Sequence, residues 1–380
     1  MDQNVLSRSA GDLIYLISCT VNGTVPDAER CAGMNDPEVF RLANSHMVSA
    51  AAAYSLEKAM PLPAHWLNAK GNAKRRMIIF QAERAKVLRA FDEHGIWYLP
   101  LKGILLKDLY PQPEMREMSD NDILCDGAKA AEIRDIMESL GYTCVDFGNL
   151  FHDVYHKKPV SFEIHSNLFN SVEYPEAFSY YSTVRERLVK DENNRSGYHM
   201  TDDDFYIYIV NHMYKHFSHA GTGLRSLLDI YLFNREKGQS LNREYIGREL
   251  DYFGLRDFEL KSRELAHKVF SLEQLSDSDK EELSFYINSG SYGTTFNRIS
   301  SKLGKDGGKN AKRRYILRRI FPTKEHLMLF EPFVYRHRIL YPFLVVYRPF
   351  RGLISKRQKL LAEYKSLKKI NQNGSSGDKK

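Results

Sequence analysis

The chain has 380 residues, 43% of them hydrophobic and 27% charged, with a formal net charge of +7. That length is room for roughly two or three ordinary domains, and the apolar share suffices for a sizeable core, which excludes wholesale disorder. The cysteines Cys19, Cys31, Cys125 and Cys144 show no CxxC pairing, which excludes a disulfide scaffold and points to a reducing compartment.

The first residues are polar rather than basic and then apolar, unlike a secretory signal. The longest C-terminal apolar run, Ile339 to Tyr347, is interrupted by Pro342 and falls far short of the ~20 residues a bilayer span requires. The expectation is a cytoplasmic protein without a transmembrane segment. Charge is unevenly placed. Residues 310–370 hold 16 Lys and Arg against Glu325, Glu331 and Glu363, whereas the first 309 residues are net acidic. A basic arm of this kind is either a solvated helical surface, the simpler reading, or a contact for an anionic partner such as nucleic acid or membrane.

Residues 1–95 read as helical, with apolar residues at helical spacing in Leu13-Ile14-Leu16-Ile17 and from Met77 through Val87, Leu88 and Phe91. Gly95 stops the last helix. Ile96 to Leu101, between Gly95 and Gly103, reads as a strand. Ile104 to Tyr110 forms a short helix ended by Pro111 and Pro113. Met118 to Cys125 is a second strand, and Ala128 to Leu140 a helix closed by Gly141. Phe151 to His156 and Val160 to His165 are strands joined by Lys157-Lys158-Pro159.

From Phe205 the chain is helical again, opened by Thr201 as N-cap and Asp202-Asp203-Asp204 in the first turn. Gly304 to Gly308 reads as a linker and Asn371 to Lys380 as a disordered tail. The expected fold class is α+β. A helical region at 1–95 precedes a small mixed sheet within a core at 96–200. A helical domain at 201–303 and a basic helical arm at 304–370 follow.

Asp120-Asn121-Asp122 carries the first chemical signal. Residues i and i+2 of a strand share a face, and a pair of carboxylates on one face can hold Mg²⁺ together with substrate phosphates. Two further DxD matches, Asp202/Asp204 and Asp277/Asp279, fall where helices begin and are explained by capping. Asp120 and Asp122 instead run into Ile123-Leu124-Cys125, where buried charge is costly unless paired or metal-bound. In Val160 to His165, the apolar Val160, Phe162 and Ile164 share one face, and Ser161, Glu163 and His165 the other. Glu163 is a candidate third ligand or base, or part of a strand face turned to water.

Leu101-Lys102-Gly103 allows close backbone approach to phosphates, with Lys102 and Arg116 to neutralise them. The P-loop pattern is absent. His212 and His216 share a helix face, but Met213 stands where a zinc-protease motif needs Glu. Lys215, His216 and Arg225 are candidates for the phosphate or acceptor side of a cleft. They fit packing between helices equally well, and Arg225 with Asp229 is an i,i+4 pair.

Leu101-Lys102-Gly103, Leu109-Tyr110-Pro111 and Arg116-x-Met118-x-Asp120-x-Asp122-Ile123-Leu124 resemble the uncharacterised nucleotidyltransferase family of bacteria, whose members look like divergent relatives of the DNA polymerase β superfamily. Glu163-Ile164-His165, His212-x-x-Lys215-His216 with Arg225 and Asp229, Arg318-Arg319-Ile320-Phe321-Pro322 and Tyr347-Arg348 extend the resemblance over about 280 residues.

The resemblance implies a nucleotidyltransferase moving an NMP group from an NTP to a hydroxyl by two-metal-ion catalysis. Asp120, Asp122 and Glu163 would bind Mg²⁺ or Mn²⁺, and Lys102, Gly103, Arg116, Lys215, His216 and Arg225 would face the nucleotide. The partners would be the NTP and an unknown acceptor, a small molecule in preference to nucleic acid. In one departure, Gly103-Ile104 replaces the Gly-Ser of the wider superfamily, removing a phosphate-holding hydroxyl. A catalytically inactive nucleotide-binding or regulatory module of the same fold is the alternative.

Overall fold

The computed structural model describes residues 6–148, 151–306, 310–355, 361 and 363–367. The tail expected at 371–380, and Gly307 and Gly308 of the expected linker, lie outside them. The chain forms two compact units, one of residues 1–214 and 223–291, the other of residues 215–222 and 292–380.

A five-stranded mixed sheet lies in the first unit, an α+β arrangement. Its strands are β1 (Tyr98–Pro100), β2 (Asn121–Cys125), β3 (Thr143–Asp146), β4 (His152–Lys157) and β5 (Val160–His165). Their spatial order is β1-β2-β5-β4-β3, with β2 and β5 parallel and the other neighbours antiparallel. Every residue of β2 is buried, because it is covered on both faces. The expected second strand is shorter than its apolar run suggested. The chain from Arg116 to Asp120 stays irregular, so Asp120 precedes β2 instead of lying on it.

Alternation sorts the sheet into two chemical faces. Ile123, Cys125, Val160, Phe162 and Ile164 point to the core. The 30-residue helix Ala64–Glu93 covers that face with Phe80, Val87 and Phe91, and helix Ala130–Ser139 adds Ile133, Ile136 and Met137. The opposite face carries Asp122, Glu163 and His165.

Glu83, on the long helix, ties this packing to β4. Its carboxylate accepts from Lys157 Nζ and Tyr142 Oη, both at 2.9 Å, and from Lys86 Nζ at 2.6 Å. These bonds, Lys157 foremost, lower its pKa to about 2. A depressed carboxyl adds stability that is present above its ordinary range and lost as pH falls toward the folded value. Glu83→Gln is therefore expected to flatten the dependence of Tm on pH between about pH 4.5 and 2, and to lower Tm above that window. Thermal melts across that range check this.

Local signals explain several helix ends. Thr201 Oγ1 accepts from Asp204 N at 3.1 Å, and Ser276 forms a capping box with Asp279, so both of those DxD pairs are capping features. β3 was not expected. It is an edge strand whose residues are mostly exposed, so it lacks the apolar alternation that marks a strand.

The second unit is helical. Helix Thr295–Asp306 runs through Gly304, where a linker was expected, and packs Ile299 and Leu303 against Ala311 and Tyr315 of helix Ala311–Ile320. Glu363 is buried beside Arg319, with contacts of 3.0 and 2.9 Å. Among the described residues, no helix is long and apolar enough to cross a membrane.

Candidate active site

Parallel pairing places Asp122 directly beside Glu163, and Leu124 beside His165. Paired residues of parallel strands point to the same face, so residues far apart in sequence converge. One ligand atom each from Asp122, Glu163 and His165 lie within 4.8 Å of one another. His165 Nε2 is 2.8 Å from Asp122 Oδ1 and 3.7 Å from Glu163 Oε2. His152, paired with His165 across β4 and β5, brings Nε2 to 4.0 Å from Glu163 Oε2.

Lys102 completes the cluster. Its Nζ donates to Asp122 Oδ1 at 2.9 Å. The lysine has φ +48° and ψ −114°, a conformation that glycine favours and that costs a side-chain-bearing residue about 1–3 kcal/mol. The amides of Leu105 and Leu106 donate to the Lys102 carbonyl at 3.1 and 2.9 Å, and Leu101 N donates to the Asp122 carbonyl at 3.0 Å. These bonds hold the turn in place. Gly103 then begins a one-turn helix, Gly103–Leu106.

The electrostatics follow from crowding carboxylates in a partly desolvated place. Burial, then the Asp122 charge, raises Asp120 to about 6. Burial, then Asp122 and Asp120, raises Glu163 to about 7. Burial would raise Asp122 too, but Lys102 and His165 outweigh it and hold Asp122 far below the usual carboxylate range. Burial pushes Lys102 down, yet Asp122 more than reverses this and leaves it raised. Two oxygen donors and an imidazole of this spacing fit a divalent cation. Such a cation would also offset the burial and the carboxylate repulsion that together raise Asp120 and Glu163.

Arg116 does not point freely toward a phosphate site. It is buried, and its Nε and Nη2 donate to the two oxygens of Asp229, each at 2.8 Å. Tyr110 Oη donates to Asp229 at 2.7 Å. The expected local pair was Arg225 with Asp229, but Asp229 serves Arg116, while Arg225 Nη1 donates to the Glu117 carbonyl at 2.6 Å. A Cβ on Gly103 would lie 2.4 Å from Arg116 Nη1. The guanidinium is pinned and cannot retreat cheaply, so Gly103→Ala is expected to cost about 1–3 kcal/mol, read by urea denaturation. Lys215 and His216 lie on helix Asp202–His219 but belong to the second unit.

Three residues were given no role in the site from sequence. His165 shares the Glu163 face by simple alternation, so the signal was present. His152 needed the β4–β5 register. Tyr208, on helix Asp202–His219, is buried close enough to feel the charges of Lys102, Asp122 and Glu163. Its hydroxyl is raised chiefly by burial. Nothing in a run of aromatic helix residues distinguishes it.

A cavity of about 510 Å³ adjoins the segment leading into Asp120, with Arg84, Lys107, Arg116, Met118 and Ser119 in its wall. Arg84 is buried, and its Nη1 donates to the neutral Asn121 Oδ1 at 2.9 Å.

The first unit is thus a mixed α+β arrangement that gathers carboxylates, an imidazole and a partly buried lysine on one face of its sheet. The chain belongs to the family of uncharacterised nucleotidyltransferases, whose family model matches residues 33–271. The match spans β1 to β5 and every residue of the carboxylate cluster, and the general activity it assigns is nucleotidyl transfer. No curated protein and no solved structure matches the chain.

Proposed function

We propose that this protein moves an NMP group from an NTP to a hydroxyl of a small-molecule acceptor, on a core of the DNA polymerase β type. Asp120, Asp122 and Glu163, with His165, would hold Mg²⁺ or Mn²⁺. The observation that carries this reading is the in-register pairing of Asp122 with Glu163, with Lys102 on Asp122. Bound divalent cations would supply Lewis acidity, neutralising the triphosphate and lowering the pKa of the acceptor hydroxyl.

The chain's own residues do the rest. Lys102 brings a positive charge to the strand end where triphosphate oxygens would sit, in place of the hydroxyl missing at Ile104. Glu163 accepts the acceptor's proton. Arg116, locked on Asp229, is a positioning residue that fixes the turn at Gly103. Catalysis of this kind is mainly placement and charge neutralisation.

The cavity supports a small acceptor, since its volume falls within the range of small-molecule sites. The Arg84 charge in its wall supports an acceptor bearing an anionic group.

The test is incubation with each labelled NTP, a metabolite extract and Mg²⁺ or Mn²⁺, with and without EDTA, for wild type and Glu163→Gln. Label transfer and pyrophosphate release are expected to need the cation and to fall in the variant. Transfer indifferent to chelation would sink the reading. Calorimetric ATP binding without pyrophosphate release from any NTP would leave the inactive nucleotide-binding module in its place.

A further inference from the structure

Helix Tyr341–Ser355 in the second unit carries an apolar stripe that its own unit does not cover. Phe343, Val346, Tyr347 and Phe350 stand at i, i+3, i+4 and i+7, the spacing of one helix face. They are 72%, 62%, 57% and 61% exposed. Leu344, around the helix from that stripe, is 7% exposed and faces the unit's interior. Just upstream, Phe333 and Ile339 are 66% and 82% exposed. Isolated exposed apolar residues are ordinary, but large aromatic and aliphatic residues repeating along one helix face are not.

Charge indicates what covers the stripe. Residues 310–370 hold 16 Lys and Arg against 3 acidic residues. Arg336 and Arg338, beside the stripe in sequence, are exposed. A second copy would bring an equally basic surface and be repelled. Nucleic acid would satisfy the charge but gives Val346 and Ile339 nothing to stack on. A surface that is anionic on top and apolar beneath satisfies both.

We infer that this face docks on an anionic lipid bilayer surface. The helix lies in the interface, with its aromatic stripe at the acyl boundary and the upstream Arg336 and Arg338 at the headgroups. Among the described residues no helix can cross the bilayer, so the attachment is peripheral. The inference rests only on the second unit and stands apart from the proposed reaction.

The experiment is co-sedimentation of the full chain with vesicles of phosphatidylcholine alone and vesicles containing phosphatidylglycerol, at low and high salt. Binding is expected with phosphatidylglycerol vesicles, weakening at high salt. Loss of Arg336 and Arg338 in the variant R336Q/R338Q should weaken it about fivefold per charge removed. The variant F343S/F350S should abolish it, and since both positions are exposed, its circular dichroism should match wild type. Equal binding to both vesicle types, binding untouched by F343S/F350S, or sedimentation with neither would overturn the inference. So would RNA binding or self-association that depends on the stripe in the absence of vesicle binding.

Discussion

Asp122→Asn is expected to lower nucleotidyl transfer at least about a thousandfold on the proposed reading of Asp122 as a cation ligand, since losing that ligand would remove on the order of 4 kcal/mol of charge stabilisation at the transferring phosphoryl group. Asparagine keeps the shape and can still accept from Lys102 Nζ, now 2.9 Å from Asp122 Oδ1. The overall fold should survive, with loosening confined to the turn at Lys102, so activity lost by a folded variant would report the missing charge. Asp122→Ala differs. It leaves the partly buried Lys102 without its carboxylate, so both activity and stability should fall. Pyrophosphate release from the preferred NTP, beside a thermal melt of each variant, separates the two effects. Full turnover by Asp122→Asn would refute the assignment of this carboxylate.

The second large effect concerns stability. Asp229→Ala is expected to destabilise the first unit by about 3–5 kcal/mol, the usual consequence of stripping one partner from a buried ion pair. Two charge-assisted bonds of 2.8 Å from Arg116 vanish together with the 2.7 Å bond from Tyr110 Oη. The guanidinium then remains buried and unpaired. Removing both charges, as in R116M/D229L, should recover much of the loss, because apolar pairs of similar volume replace buried ion pairs at little or no penalty. Urea denaturation of the single and double variants checks this. Equal losses in both would mean that packing, not charge, dominates there.

Local features of this fold were legible in the sequence, and long-range pairings were not. Gly95 marks the end of the long helix, Thr201 and Ser276 cap their helices, and the alternation in Val160 to His165 marks a strand with one polar face. Asp122 and Glu163 could each be nominated from their own strand. That they sit side by side depends on β2 pairing parallel with β5 across the intervening β3 and β4, which no local pattern encodes. Arg116 and Asp229 meet over a separation of 113 residues, so the nearer Arg225 looked the natural partner. Asp120 was assigned to a strand because apolar residues follow it, yet the backbone turns regular only at Asn121. The helix through Gly304 outvoted its glycine because Ile299 and Leu303 bury against Ala311 and Tyr315.

Lys102 carries a consequence for motion. Its backbone sits where glycine would rest more easily, and the ammonium clasped by Asp122 adds to the backbone bonds that hold the turn. A clasp that fastens a tense backbone also acts as its latch. When the aspartate charge is withdrawn, the segment from Leu101 to Leu106 should slacken. The amides of Leu105 and Leu106, both bonded to the Lys102 carbonyl, should then trade hydrogen for deuterium faster in Asp122→Asn than in wild type, while those of β5 keep their pace.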